Sequence, residues 1–486
     1  MISVNYLDLL WFILPETIIV LAALCVLTVD LMFLRASESR LRSSVGAALS
    51  LIGCAAAITW IVLTPQSVNI LDGTLVLTPL VQRIQVALLV LTMLTIVTFS
   101  RSRFTRHVCE YLALTLLATV SMMLLVSTQN LLVIFLSLEM LSLSLYILTA
   151  FNKGSVRSSE AALKYFLFGG ISAAFLLFGF SLLYGLSNST NLLAVTANVH
   201  GDPLDPLLIV AMVMVVVGLG FKVAAAPFHF WAPDVYQGAP VSTAALIASS
   251  SKVAGFFVLY QVMVVGLAGA EGSTVWHGYS AGWVPMLAIV AAVSMVLGNL
   301  AAIVQSSVRR LLAYSAVAHA GYMLLGVLSN TEQSFSALMY YVITYGLTVV
   351  GAFGVVAMVE EATGGDTISD FAGFSQRAPI PSFCMLIFLL SLAGIPPFAG
   401  FFAKFFLFSS ALISTPAFLW LVILAIAMSA VSLYYYLKVL KSIYVAGHHA
   451  GATLISGSYF REAVLCVIAF GVVLLGCAPD LLLRWF

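Results

Sequence analysis

Charge is what this 486-residue chain has least of: Asp, Glu, Lys and Arg together make 8%, where an ordinary soluble domain carries about 25%. So few charges cannot cover a water-facing surface, which excludes a soluble globular protein. The net charge of +1 offers nothing to nucleic acid or to a generally acidic partner. The six cysteines (Cys25, Cys54, Cys109, Cys384, Cys466 and Cys477) lie far apart, and no two share CxxC spacing, so no iron–sulfur or zinc site is read from them. A basic leader and a small-residue cleavage site are also missing around the first apolar run, near Ile13 to Leu34. That run reads as a retained span and not a signal peptide.

What is abundant is apolar length. Hydrophobic residues make 62% of the chain, in recurring stretches of about 20 residues, each long enough to cross a hydrocarbon core of roughly 30 Å as a helix. The expected fold is all-α and polytopic. Windows between charged or Gly/Pro-rich breaks give fourteen spans, centred near residues 24, 54, 90, 119, 141, 174, 216, 252, 293, 319, 347, 393, 427 and 473.

Basic residues test that count, because cytoplasmic loops collect Lys and Arg. Alternate loops hold Arg35, Arg40 and Arg42; Arg101, Arg103 and Arg106; Lys153 and Arg157; Arg309 and Arg310; Arg377; and Lys438, Lys441 and Arg461. These are fourteen of the twenty Lys and Arg. The opposite loops hold only Arg83, and Arg484 sits at the C-terminal end. Both termini are therefore expected on the outer face of the membrane.

Four lysines belong to no loop: Lys164, Lys222, Lys252 and Lys404. A charge at the bilayer centre costs about 2.5–3.5 kcal/mol on insertion scales and usually faces a bundle interior or a hydrated cavity. Glu139 is the only charge in "LLVIFLSLEMLSLSLYIL", with Ser137, Ser142 and Ser144 nearby. One Glu–Lys pair could simply lock two helices, but several lysines and one carboxylate cannot all be satisfied that way. The surplus favours a titrating path, since burial lowers a lysine pKa and a nearby carboxylate raises it again. Lys252, flanked by serines in mid-span, reads as functional. His319 reads either as a proton relay or as a hydrogen-bonded core residue. Lys164 reads either as part of the path or as a side chain snorkelling to the inner face. Asp30 and Glu16, near the ends of the first span, read as interfacial anchors or partner contacts.

Two spans carry Gly and Pro where a plain helix would not. "GLGFKVAAAPFHFWAPDVYQGAP" holds Lys222 and His229, and "SLAGIPPFAGFFAKFFLF" holds Lys404. Proline removes a donor and clashes with the preceding turn, so spans 7 and 12 should be broken, which is tolerated at membrane depth only inside protein or beside water. Interrupted spans in matching positions point to an inverted repeat. Lys222 to Lys404 is 182 residues and Glu139 to His319 is 180. The expected organisation is an N-terminal unit at 1–108 (spans 1–3), a first repeat at 109–268 (spans 4–8), a second, inverted repeat at 283–445 (spans 9–13), and a last span at 460–486.

Together with "SSSKVAGF", "RRLLAYSAVAHAGY" and "SLYYYLKVLKSIY", these two stretches resemble the antiporter-like membrane subunits of the proton-pumping NADH:quinone oxidoreductase, respiratory complex I. The likeness is most specific from about residue 110 to 445. Within that family "PDVYQGAP", the lysine at position 404 and the absence of a long lateral helix resemble the subunit N branch, counterpart of mitochondrial subunit 2, more than subunits L and M. One departure is local: Val241 and Ser242 stand where the family often has Thr-Pro, which leaves open where the eighth span begins. The resemblance implies that Glu139 and Lys222 form a pair in a first half-channel, that Lys252 connects, and that Lys404 communicates with the outer side. It places His319 on a hydrated central axis, with Lys164 auxiliary and His229 on the intake side. It further implies no cofactor or metal in this chain, with FMN, iron–sulfur clusters and quinone in other subunits, and the bilayer and membrane subunits M, K, J and A as partners. The rival readings are a subunit of an Mrp-type cation/proton antiporter, a structural spacer that carries no protons and, more distantly, a stand-alone solute transporter.

Overall fold

The computed structural model describes residues 6–35, 37–100, 105–199, 204–274, 278–414, 416–447 and 459–486. Arg101 and Arg103 lie outside them. The membrane helices are α1 (Leu14–Leu34), α2 (Ser39–Leu63), α3 (Pro79–Phe99), α4 (Val108–Val126), α5 (Leu131–Thr149), α6 (Val156–Ser187), α7 (Pro206–Val223), the short α8 (Trp231–Gly238), α9 (Val241–Gly266), α10 (Trp283–Ile303), α11 (Val308–Leu328), α12 (Glu332–Thr363), α13 (Pro379–Ala393), α14 (Ala399–Ser414), α15 (Leu419–Tyr444) and α16 (Tyr459–Cys477). Thirteen of these are long and apolar enough to cross a membrane alone. The half-length α13 and α14 supply the remaining expected span. A two-stranded hairpin, β1 (Val68–Ile70) against β2 (Leu75–Leu77), joins α2 to α3.

Burial sorts the helices into layers. In α9, α11 and α12 nearly every residue is buried, whereas α1, α6, α15 and α16 leave most of their apolar surface facing outward. Lipid is as apolar as a protein interior, so helices approach through small residues and fit, not through amphipathic stripes. The α10–α11 pair shows this: a Cβ at Gly298 would run into the backbone of Ala318, and one at Gly321 would meet Ala291 O at 2.8 Å. The main apolar core runs from Ile70 to Leu482, while Ile19, Val26, Cys54, Ala57, Leu116 and Val120 form a separate cluster joining α1, α2 and α4. α3 serves both, through Leu88 and Leu91 on one side and Leu89 and Ile96 on the other.

The two carboxylates near the ends of the first span, expected as interfacial anchors or partner contacts, are both buried against neighbouring helices. Asp30 is 2% exposed and takes a bidentate bond from Arg42, whose Nε donates to Oδ1 at 2.7 Å. Glu16 is 4% exposed and accepts from Gln85 Nε2 at 2.7 Å. Each ties α1 to a neighbouring helix. The doubt about the eighth span also resolves, since α9 starts at Val241 with Pro240 as its cap. α9 carries an irregularity that sequence did not signal: Ser249 (φ −109°, ψ −92°) interrupts its helical geometry.

Candidate functional site

The two proline-bearing spans break as expected, and in the same way. α7 ends at Val223, where Ala224 turns left-handed (φ 59°) and Ala225 N donates to Gly220 O at 2.9 Å. α13 ends at Ala393, where Gly394 is left-handed (φ 87°) and Ile395 N donates to Leu390 O at 3.1 Å. Both closures satisfy helix-end carbonyls by the same i+5 to i bond. Serine hydroxyls take up backbone donors released beyond each break: Ala226 N donates to Ser294 Oγ at 2.8 Å and Gly400 N to Ser391 Oγ at 3.1 Å.

Three lysines stand around these breaks, all within 7% exposure. Lys222, in the last turn of α7, donates to Ser142 Oγ at 3.2 Å. Ser142 is one turn along α5 from the half-buried Glu139. Lys252 on α9 donates to Ala316 O of α11 at 2.6 Å and lies 5.4 Å from the centre of the Tyr345 ring. Lys404 on α14 folds back to the end of α13, donating to Leu392 O at 3.0 Å, Ala393 O at 2.9 Å and Ser429 Oγ at 2.8 Å. Helix C-terminal carbonyls carry partial negative charge, so this is a natural seat for an ammonium group. Among the described residues none of the three forms a salt bridge within 4.0 Å. The Glu139–Lys222 pair that the resemblance implies is not in salt-bridge contact here, and among the described residues neither break is locked by a carboxylate.

His319 lies between Lys252 and Lys404 in the α11–α12 layer, 2% exposed. Its Nδ1 is 2.9 Å from Tyr341 Oη and its Nε2 is 3.3 Å from Tyr436 Oη, and Tyr436 also bonds Ser315 Oγ. Tyr322, whose ring faces Lys404 Nζ at 5.3 Å, accepts from Asn299 Nδ2 at 2.9 Å, and Tyr435 donates to Asn299 Oδ1 at 3.1 Å. These tyrosines escaped the sequence reading. In an apolar run a tyrosine looks like interface filler, and only the spacing of "AHAGY" and "SLYYYLK" hinted otherwise.

Lys164 and His229 stand apart from this line. Lys164 is 39% exposed and bonds Glu160 and Asp234, each at 2.7 Å, which matches its snorkelling alternative. His229, 6% exposed in the turn between α7 and α8, stacks on Phe230 and leaves Nδ1 without a partner. α8 itself is held from α11 by two adjacent arginines. Arg310 Nη1 donates to Asp234 Oδ1 at 2.6 Å, while Arg309 Nε donates to Tyr236 O at 2.8 Å. Arg309 also bonds Ala239 O and reaches Glu360 of α12 at 3.2 Å. Trp231 Nε1 donates back across the break to Phe221 O at 3.1 Å, with its ring stacked on Tyr165.

Residues 128–429 match the family described as NADH:quinone oxidoreductase/Mrp antiporter, TM. Over 493 aligned residues the chain is 54% identical to NADH-quinone oxidoreductase subunit N 2 of Acidobacterium capsulatum, covering 99% of each. The chain belongs to the NADH-quinone oxidoreductase subunit N family. Subunit N of Nitrosomonas europaea is 38% identical, with 77% of this chain and 76% of that one covered. Among solved structures, a chain of respiratory complex I from Thermus thermophilus with bound aureothin superposes with TM-score 0.77 at 32% identity, covering 97% of this chain and 98% of that one. A chain of the Mrp complex from Dietzia sp. DQ12-45-1b has TM-score 0.79 at 21% identity, covering 97% and 96%, a likeness of fold alone. The Mrp reading from sequence is therefore the weaker one. As a subunit N, the chain is a multi-pass membrane component of an enzyme complex.

Proposed function

We propose that this membrane-arm subunit carries protons across the bilayer, driven by electron transfer from NADH to quinone in other subunits, through Lys222, Lys252, His319 and Lys404. The observation that carries the reading is the three buried lysines without a carboxylate within salt-bridge distance. A permanently charged, unpaired ammonium in apolar surroundings is costly, so each is a group whose charge can come and go. Hydroxyls, carbonyls and ring faces around them tolerate both states. Glu139 one turn from Ser142 supplies a mobile negative charge on the Lys222 side, and the His319–tyrosine set bridges Lys252 and Lys404. The five-helix repeats at 109–268 and 283–445 belong to this reading, with one intake and one release side.

Orientation follows from charge. The end of the bundle carrying Arg40, Arg106, Arg157 and Arg309 faces the cytoplasm by the positive-inside rule. The C-terminal segment, whose Trp485 carbonyl bonds Arg83, lies at the opposite, outer end. The neighbours in the complex are read as subunit M and the K, J and A side, with FMN, iron–sulfur clusters and quinone held elsewhere.

Lys252→Ala in assembled complex tests the function. In inverted membrane vesicles, NADH-driven proton uptake should fall by at least about tenfold, a threshold set below the roughly 10²-fold that a positioned proton-transfer group contributes at the low end. NADH:ferricyanide activity should not change. An assembled Lys252→Ala complex that pumps normally would leave the chain as a spacer.

A further inference from the structure

Hydroxyl groups line α3, α4 and the first half of α9 between the arginine-rich end and the middle of the bundle. That end opens into a cavity of about 1590 Å³ whose lining includes Arg40, Arg106, Arg157, Gln237, Ser242 and Arg309. A smaller space of about 30 Å³ continues inward between α3, α4 and α9, sharing Ser43, Val108 and Ser242 with the first and reaching Tyr111, Thr95 and Thr115. Roughly 10–15 Å³ holds one water, provided polar partners are present. Partners are present. Tyr111 Oη donates to Ser242 Oγ at 2.7 Å and lies 2.9 Å from Thr243 Oγ1. Thr115 and Thr119 each donate to the carbonyl one turn back, at 2.9 Å, which leaves their oxygens as acceptors. One turn deeper than Thr95 and Thr115, the hydroxyls of Thr92 and Thr119 meet at 3.2 Å across α3 and α4.

A second, independent mark lies further along α9. Ser250, one turn past Leu246 on α9, is fully buried, and its Oγ has no hydrogen-bond partner among the described residues. Buried side-chain hydroxyls are almost always bonded to protein or to ordered water, so this one points to a water position. Lys252 follows two residues on, beyond the irregularity at Ser249.

We propose that this line of hydroxyl groups is a proton intake joining the arginine-rich end to Lys252 without passing through Glu139 and Lys222. The inference rests on the proton-carrying reading and adds a second way in. Protons from the wide cavity pass along water and hydroxyl groups from Ser242 and Tyr111 to the Thr92–Thr119 level and Ser250, and end on the Lys252 amine.

The test uses assembled complex whose subunit N has its six cysteines replaced by serine. Ser242→Cys is exposed to a charged, membrane-impermeant methanethiosulfonate, and labelling is read by mass spectrometry of this chain. The expected result is labelling in inverted vesicles, none in right-side-out vesicles, and loss of NADH-driven pumping after labelling. Tyr111→Phe and Ser250→Ala should slow pumping several-fold with NADH:ferricyanide activity unchanged, and Tyr111→Ala should be no better than Tyr111→Phe, because the hydroxyl and not the ring is at issue. If Ser242→Cys stays unlabelled while Ser155→Cys at the cavity rim reacts, the intake is refuted. Tyr111→Phe and Ser250→Ala complexes that pump at the parent rate, beside a failing Lys252→Ala complex, refute it equally. Normal pumping by Lys252→Ala would instead remove the proton-carrying reading, and the intake with it.

Discussion

The breaks at Ala224 and Gly394 are backbone twins with their lysines on opposite sides. Both close with a left-handed residue and the same helix-end bond, and both are followed by proline, at Pro227 and Pro397. They lie 170 residues apart, and so do these prolines. The lysines, 182 residues apart, do not share that register. Lys222 sits before its break, in the last turn of α7, whereas Lys404 follows its break and reaches back to Leu392 O and Ala393 O. Leu392 is the residue 170 positions after Lys222. The second ammonium group thus arrives at the counterpart of Lys222's place from the other half of a broken helix. Charge at a membrane break is specified by where the ammonium lands, and the sequence position of its Cα is free to differ.

Removing each lysine tests that comparison most severely. Lys222→Ala should reduce NADH-driven proton uptake by roughly tenfold or more, and Lys404→Ala likewise, both measured in vesicles holding assembled complex. Residual pumping after Lys222→Ala but not after Lys404→Ala would mean that the halves are not equivalent. Gly394→Ala comes next. A Cβ there would lie 3.0 Å from Lys404 Cδ and 3.2 Å from its Nζ, at a φ of 87° that an L-residue resists. A left-handed L-residue costs about 1–2 kcal/mol, so thermal stability should drop and pumping should fall with it, while Lys222-side substitutions leave stability nearer the parent. Ser429→Ala removes one of three acceptors from Lys404 and should slow pumping a few-fold without loss of assembly. The smallest effect is expected at the other break. Ala224 already holds φ 59° without glycine, so Ala224→Gly should relieve about 1–2 kcal/mol of strain, partly offset by the roughly 0.5–1 kcal/mol that glycine's extra freedom costs, and read as a small rise in the melting temperature of the complex.

The sequence was most legible where charge and proline are scarce. In a chain with 8% charged residues, a lysine with no loop to belong to announces itself, and the structure buries Lys222, Lys252 and Lys404 together around the two breaks. Apolar windows checked by the alternation of basic loops gave fourteen spans, beside thirteen full-length helices and the two shorter ones at the second break. Legibility failed where the signal was common. Tyr341, Tyr345 and Tyr436 are ordinary residues in apolar helices, and only packing shows that they surround His319 and Lys252. The partners of Asp30 and Glu16 were not legible because distance along a span says nothing about which neighbour lies opposite; Arg42 and Gln85 receive them. The offset between Lys222 and Lys404 mixed two registers, since side-chain reach across a break is invisible in spacing.

Two adjacent arginines on α11 have a mechanical consequence. Arg309 and Arg310 grip α8 by its carbonyls and by Asp234, and ten residues further along the same rod stands His319. At 1.5 Å per residue that is about 15 Å of uninterrupted helix. Asp234 is in turn pinned to Lys164 of α6. α11 is therefore a shaft with a clamp at one end and an imidazole halfway along it. A tilt or twist imposed on α8 has no slack loop in which to dissipate before it reaches the ring between Tyr341 and Tyr436.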